Sequence, residues 1–151
     1  MTGRTRYPRF LLMVALLLAA GLAAVEARQP DTVALARVPG EGEASRPVLE
    51  AAEVPVYARL FDHRQSYLLV GANPDQVATM RQAGIDVELL DANITGATYY
   101  LAYRRPGRPI PDWSAYGNLL LEDGVQALLR TSGKDAERLA QAGADIRALP
   151  L

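Results

Sequence analysis

Residues 82–90 read QAGIDVELL, and residues 141–149 read QAGADIRAL. The two stretches superimpose without a gap at an offset of 59 residues, and each joins a helix end, a glycine and an amphipathic strand. Glycine accepts the left-handed conformation that follows many helices, so Gly84 and Gly143 are predicted to be helix C-caps. Before Gly84, Val77, Met80 and Ala83 share one helix face, and Asn73-Pro74 opens the helix. Asn caps exposed N–H groups, and Pro at the first helical position has no N–H to leave unpaired. The same offset sets Leu69 over Leu128, Met80 over Leu139 and Asp86 over Asp145. Ser132 and Asp135 have capping-box-like spacing in the second copy.

Further upstream, Val54, Val56, Ala58 and Leu60 alternate with other residues as in a strand, and residues 66–71 form a second, more apolar strand. Residues 62–65 are the expected turn between them. They lie over residues 121–124, where Asp123-Gly124 is a hairpin signal. Residues 98–104 (TYYLAYR) make a strand between the copies, and residues 105–116 (RPGRPIPDWSAY) a Pro-rich connection. The expected fold class is therefore α+β: a two-layer α/β sandwich with a mostly antiparallel sheet, built by internal duplication of a ββαβ unit. The units span about 54–91 and 113–150. They either share one sheet or form a small sheet each.

Residues 1–9 carry Arg4, Arg6 and Arg9 with no acid, residues 10–25 are uncharged and apolar, and Val25-Glu26-Ala27 places small residues before a cleavage point. That pattern predicts a secretory signal peptide over 1–27 and a secreted or extracytoplasmic protein. The alternative is a membrane anchor at 10–25, the chain's sole expected membrane contact. Residues 28–53, interrupted by Pro30, Pro39 and Pro47, read as a flexible linker with a short helical turn near 48–52, leaving 54–151 as the small α/β domain.

The formal charge is −1, and −3 once residues 1–27, with three arginines and one glutamate, are set aside. No nucleic-acid partner is expected of such a balance. There is no cysteine and a single histidine, His63, so thiolate chemistry and His/Cys zinc sites are excluded, and no cofactor or metal is predicted. His63 and nearby Ser66 do not make a hydrolase triad. The 71–74 turn and Ser132-Gly133-Lys134 are fragments of phosphate-binding patterns, without the full P-loop. Asp86, Glu88 and Asp91 read as a solvated face rather than paired catalytic carboxylates. Asn93-Ile94-Thr95 matches a glycosylation sequon. No catalytic residue is predicted.

One segment stands out as a candidate interface. Arg105 and Arg108 stand near Trp113 and Tyr116 in a loop stiffened by Pro106, Pro109 and Pro111. Arg and aromatic side chains are favoured interface anchors, so these four are the predicted partner-binding residues. The competing reading has Trp113 and Tyr116 folding back over the sheet.

Residues 67–91 (YLLVGANPDQVATMRQAGIDVELLD), followed by TYYLAYR, resemble N-terminal regions of secreted bacterial zinc peptidases. There a strand, a helix–Gly–strand unit and a Tyr-rich strand precede the catalytic domain. The resemblance covers about residues 54–150 and implies a prodomain-like module, freestanding or truncated, without the zinc-binding part. It implies an exported, non-catalytic accessory protein, prodomain-like or inhibitor-like toward an exported peptidase. The alternative is a structural cell-envelope protein that binds a glycan or another envelope subunit.

Overall fold

The computed structural model describes residues 32–40, 45–62 and 65–151, and residues 32–151 belong to one compact unit. The signal-like segment 1–27 and His63 lie outside the described residues. Among the described residues no helix is long and apolar enough to cross a membrane.

Among the described residues, eight strands form two four-stranded sheets, each wholly antiparallel. The first holds β1 (Ala34–Pro39), β2 (Val56–Asp62), β3 (Gln65–Ala72) and β4 (Glu88–Asp91), in the order β2-β3-β1-β4. The second holds β5 (Tyr99–Arg104), β6 (Asn118–Glu122), β7 (Gln126–Arg130) and β8 (Ala144–Ala148), in the order β6-β7-β5-β8. The two orders are the same once β1–β4 are matched to β5–β8. Helix α1 (Ser45–Ala51) joins β1 to β2, and α2 (Pro74–Gln82) joins β3 to β4. In the second half a single 3-10 turn, Trp113–Tyr116, stands in the place of α1, and α3 (Gly133–Gln141) in the place of α2. Each half thus has the split β-α-β connectivity, in which a later strand inserts between two parallel ones.

Each sheet carries its helices on one face, the expected two-layer unit, and the other faces meet. Ala36, Val38, Leu68 and Val70 pack on Leu49 of α1 and on Val77 and Met80 of α2. Ala102, Ala127 and Leu129 pack on Trp113 and on Leu139 of α3. Between the sheets lie Leu35, Leu60 and Leu69 from the first and Tyr99, Leu101 and Leu128 from the second. Strands β1, β3, β5 and β7 therefore bury both faces, which removes the polar alternation of a half-exposed strand.

That burial explains where the sequence reading falls short. Residues 34–39 are not linker: they are an inner strand, and ALARV lacks alternation because Leu35 faces one core while Ala36 and Val38 face the other. Residues 45–51 are a helix, with Pro47 in its first turn, where a missing N–H costs nothing. The arrangement common to the two halves is accordingly longer than ββαβ, since TYYLAYR is the first strand of the second half rather than an insert.

The offset of 59 holds from β3 to β4. Asn73 and Ser132 are both N-caps, each side chain accepting from the backbone N–H three residues on. Gly84 (φ 80°) and Gly143 (φ 104°) follow the helices in the left-handed region. Gly84 N–H donates to Arg81 O, and Ile85 N–H to Met80 O, a closed helix end. The offset fails in the hairpins. Ala58 lies opposite Leu69 in the first and Leu121 opposite Leu128 in the second, so the first hairpin reaches two residues further along each strand.

Candidate functional site

The four residues proposed from sequence do not form an exposed cluster. Trp113 is 1% exposed and sits in the core under α3, with Ala127, Leu129 and Leu139. Its area is worth more to folding there than at a surface. Among the described residues its Nε1 is a buried donor without a partner. Tyr116 is half-buried against the same cluster, under the Arg138 guanidinium, 5.9 Å from the ring centre. Thr131 donates its hydroxyl to the Tyr116 carbonyl, fixing the end of the turn. Arg105 is exposed and pairs with Asp145 of β8 at 2.7 Å. Arg108 runs its aliphatic stem past Gly143, just beyond the C-terminus of α3, where a cation complements the helix dipole. The loop is thus folded back on its own half, with two residues in or against the core and two arginines at its rim.

The carboxylates read as one solvated face have three different environments. Asp86 is exposed. Glu88 pairs with Arg37 of β1 at 2.5 Å, and that guanidinium also stacks 4.7 Å above the Tyr67 ring. Asp91 has a side chain only 11% exposed and is the junction of the two halves. It accepts from the Tyr99 hydroxyl at 2.8 Å, from Arg130 Nη1 at 2.9 Å and from the Asn93 backbone N–H at 3.1 Å. Burial pushes its carboxyl up, but these donors outweigh burial and hold it below the ordinary carboxylate value. Burial, and then the neighbouring Asp91, push Tyr99 up to about 12. A second polar link joins the halves: Gln126 Nε2 donates to Phe61 O at 2.6 Å and to Asp123 Oδ2 at 2.7 Å. These networks bind the halves together.

The helix starts are closed as well. Asn73 and Gln76 satisfy each other in a full capping box, and Gln76 Nε2 reaches the Ala52 carbonyl at 2.9 Å. At α3, Ser132 donates to Asp135, whose carboxyl this bond and Arg138 hold below its ordinary value. An anion would have to displace these groups. Asn93 of the sequon is exposed and accepts from the Thr95 N–H. Among the described residues, no group of three or more His, Cys, Asp or Glu is placed to hold a metal ion.

An open space lies in the first half, between residues expected as linker (40–50) and the first expected strand. A cleft of about 760 Å³ runs between α1 and the outer strand β2. Its floor is Val54, Val56, Arg59 and Leu68; its wall is Ser45, Arg46, Leu49 and Glu50. The cleft exists because α1, only seven residues long, covers the inner strands and leaves the helix-side face of β2 bare. Val56 is 49% and Phe61 64% exposed on that face. Arg46 and Glu50 pair along α1 at 3.0 Å, and Arg59 has no acidic partner among the described residues. The sequence pattern sets Val56 on the face of Ala58 and Leu60; the bulge between Val56 and Ala58 instead brings Val56 onto the face of Arg59 and Phe61.

No protein-family model matches this chain, and neither curated proteins nor solved structures give a significant match.

Proposed function

We propose that the chain is an exported, non-catalytic binding module whose partner docks in the cleft between α1 and β2. One observation carries this reading. In the second half Trp113 fills the space over the sheet beside Leu119, while in the first half the corresponding space over Leu68 and Val56 is open. Ligand pockets commonly span about 300–1,000 Å³ and combine apolar lining with a few oriented polar groups. This cleft has the size and the mixture: Leu49, Val54, Val56 and Leu68 with Arg46, Glu50 and Arg59. Export rests on the signal-like segment 1–27. The resemblance of residues 67–91 and 98–104 to peptidase N-terminal regions supports an exported peptidase as the partner, with this chain prodomain-like or inhibitor-like toward it. A glycan is the weaker occupant, since among the described residues lining the cleft there is no aromatic ring on which a sugar could stack.

Val56→Trp plugs the cleft from its own floor. The wild-type chain, used as bait against extracytoplasmic protein from its native host, is expected to retain a peptidase that the Val56→Trp chain does not. Retention of the same partner by both chains would remove the cleft from consideration.

A further inference from the structure

We propose that the cleft receives an extended, acidic segment of the partner, which adds to β2 as a fifth strand of the first sheet. This rests on the reading of the cleft as the binding surface and specifies its chemistry.

Among the described residues, strand β2 ends its sheet and is hydrogen-bonded along one side only, to β3. An edge of this kind offers a row of backbone donors and acceptors to an incoming chain, and natural proteins usually blunt it. Two of the other edges, β4 and β8, are shorter than β2 and carry paired charged side chains. β4 is four residues long, with Glu88 held by Arg37 and Asp91 by Tyr99 and Arg130. On β8, Asp145 is held by Arg105. β2 is seven residues long, with a bulge between Val56 and Ala58; its charged residues are Arg59 and, at its last position, Asp62.

The charge decides between occupants. Among the described residues lining the cleft, Arg46 and Arg59 stand with one acid, Glu50, a balance that favours an anionic guest. Arg46 and Glu50 are both largely exposed, which leaves Arg46 only weakly engaged. A second copy of this chain is a poor guest. Antiparallel pairing of β2 with itself over its full length sets its middle residue, Arg59, opposite another Arg59, and like charges directly opposite are destabilising. An acidic strand reverses that term. Its alternate side chains would enter the cleft, one carboxylate meeting Arg59 and apolar neighbours meeting Val56 and Phe61. Main-chain bonds then supply affinity and the alternate side chains supply specificity.

The test titrates acetylated decapeptides of alternating Thr and Glu, Thr and Lys, or Thr and Gln into the isotope-labelled full chain. The Thr-Glu peptide is expected to bind, to slow amide exchange along β2 and to lose binding when its alternate amides are N-methylated. Arg59→Glu is expected to weaken that peptide by roughly tenfold or more, the scale of one charge-assisted hydrogen bond, and to favour the Thr-Lys peptide. Equal binding of all three peptides overturns the acidic preference. Binding that survives N-methylation, or leaves β2 exchange unchanged, overturns strand addition. If no peptide binds while Val56→Trp still abolishes capture of the natural partner, strand addition fails and the cleft remains the binding surface. If Val56→Trp also leaves capture intact, both readings fail together.

Discussion

The two halves share a strand order, a helix with matched caps and a glycine stop, and they differ in the connection between their first two strands. In the first half that connection is α1, a seven-residue helix whose only fully buried apolar side chain is Leu49. In the second it is a Pro-rich loop ending in a four-residue 3-10 turn that drives Trp113 into the core. The shorter element covers its sheet more completely, because one indole replaces what a small helix leaves open. Where the halves agree, the residues explain folding. Where they differ, one half closes its surface and the other keeps a cleft. Connections carry binding function more often than framework does, and here the same scaffold displays both outcomes.

The largest expected effect opens the closed half. Trp113→Ala is expected to lower stability by about 3–5 kcal/mol, the range for truncating a large buried aromatic. Urea melts measure it, with Trp113→Phe as control. Phe retains most of the ring area and deletes the unpartnered buried Nε1 donor, so its cost should be well below that of Ala. A loss under about 1 kcal/mol for Ala would mean that the indole is not what closes the second half.

The next effect concerns the junction. Asp91→Asn retains the shape but weakens acceptance from Tyr99 and Arg130, at an expected cost of about 1–3 kcal/mol. Because the Asp91 carboxyl is held below its ordinary value of 3.8, its contribution is complete above that value and is lost as pH falls through the lower folded-state value. Urea midpoints from pH 7 downward should therefore fall more steeply below about pH 4 for the wild-type chain than for Asp91→Asn. Parallel curves would show that Asp91 is not a folded-state carboxylate of lowered pKa.

Much of this fold could be read before its structure was known, and the misses share a physical origin. Asn73, Gly84, Ser132 and Gly143 are local signals: caps and left-handed stops depend on nearby residues, so they were readable. The α+β class followed from them. β1 is missed because an inner strand shows no alternation, and only the end of α1 is legible, as a helical turn near 48–52, because Pro47 looks like a breaker unless the helix start at Ser45 is recognised first. The site suffered more. Trp113 looks the same in sequence whether it anchors a partner or a core, and only the bareness or cover of the sheet beneath it decides. Asp91 resembled its exposed neighbours Asp86 and Glu88, since the donors that distinguish it come chiefly from the other half of the chain.

A smaller effect probes the parts where the halves agree. Gly84→Ala and Gly143→Ala are each expected to cost about 1 kcal/mol, from forcing a Cβ into the left-handed region. A Cβ at Gly84 meets nothing within 4 Å, and one at Gly143 meets the Arg108 stem at 3.7 Å, an ordinary contact. Packing should therefore add little at either site, and the two urea midpoints should shift alike. A cost confined to one of them would show that the two helix ends are not equivalent.

The smallest effect on stability belongs to the substitution that makes the open half resemble the closed one. Val56 is half-exposed on the cleft floor, so Val56→Trp should change stability by no more than about 0.5 kcal/mol. Its ring has room beside Leu49, Val54 and Leu68, the counterpart of the space that Trp113 occupies over Ala127 and Leu129. The chain has a single tryptophan, so Val56→Trp made together with Trp113→Phe leaves one indole to report its surroundings. Blue-shifted fluorescence, resistant to a water-soluble quencher, is the expected outcome. Emission like that of an indole in water would mean that the cleft does not close over a ring of that size, and the analogy between the open half and the plugged one would end at the strands.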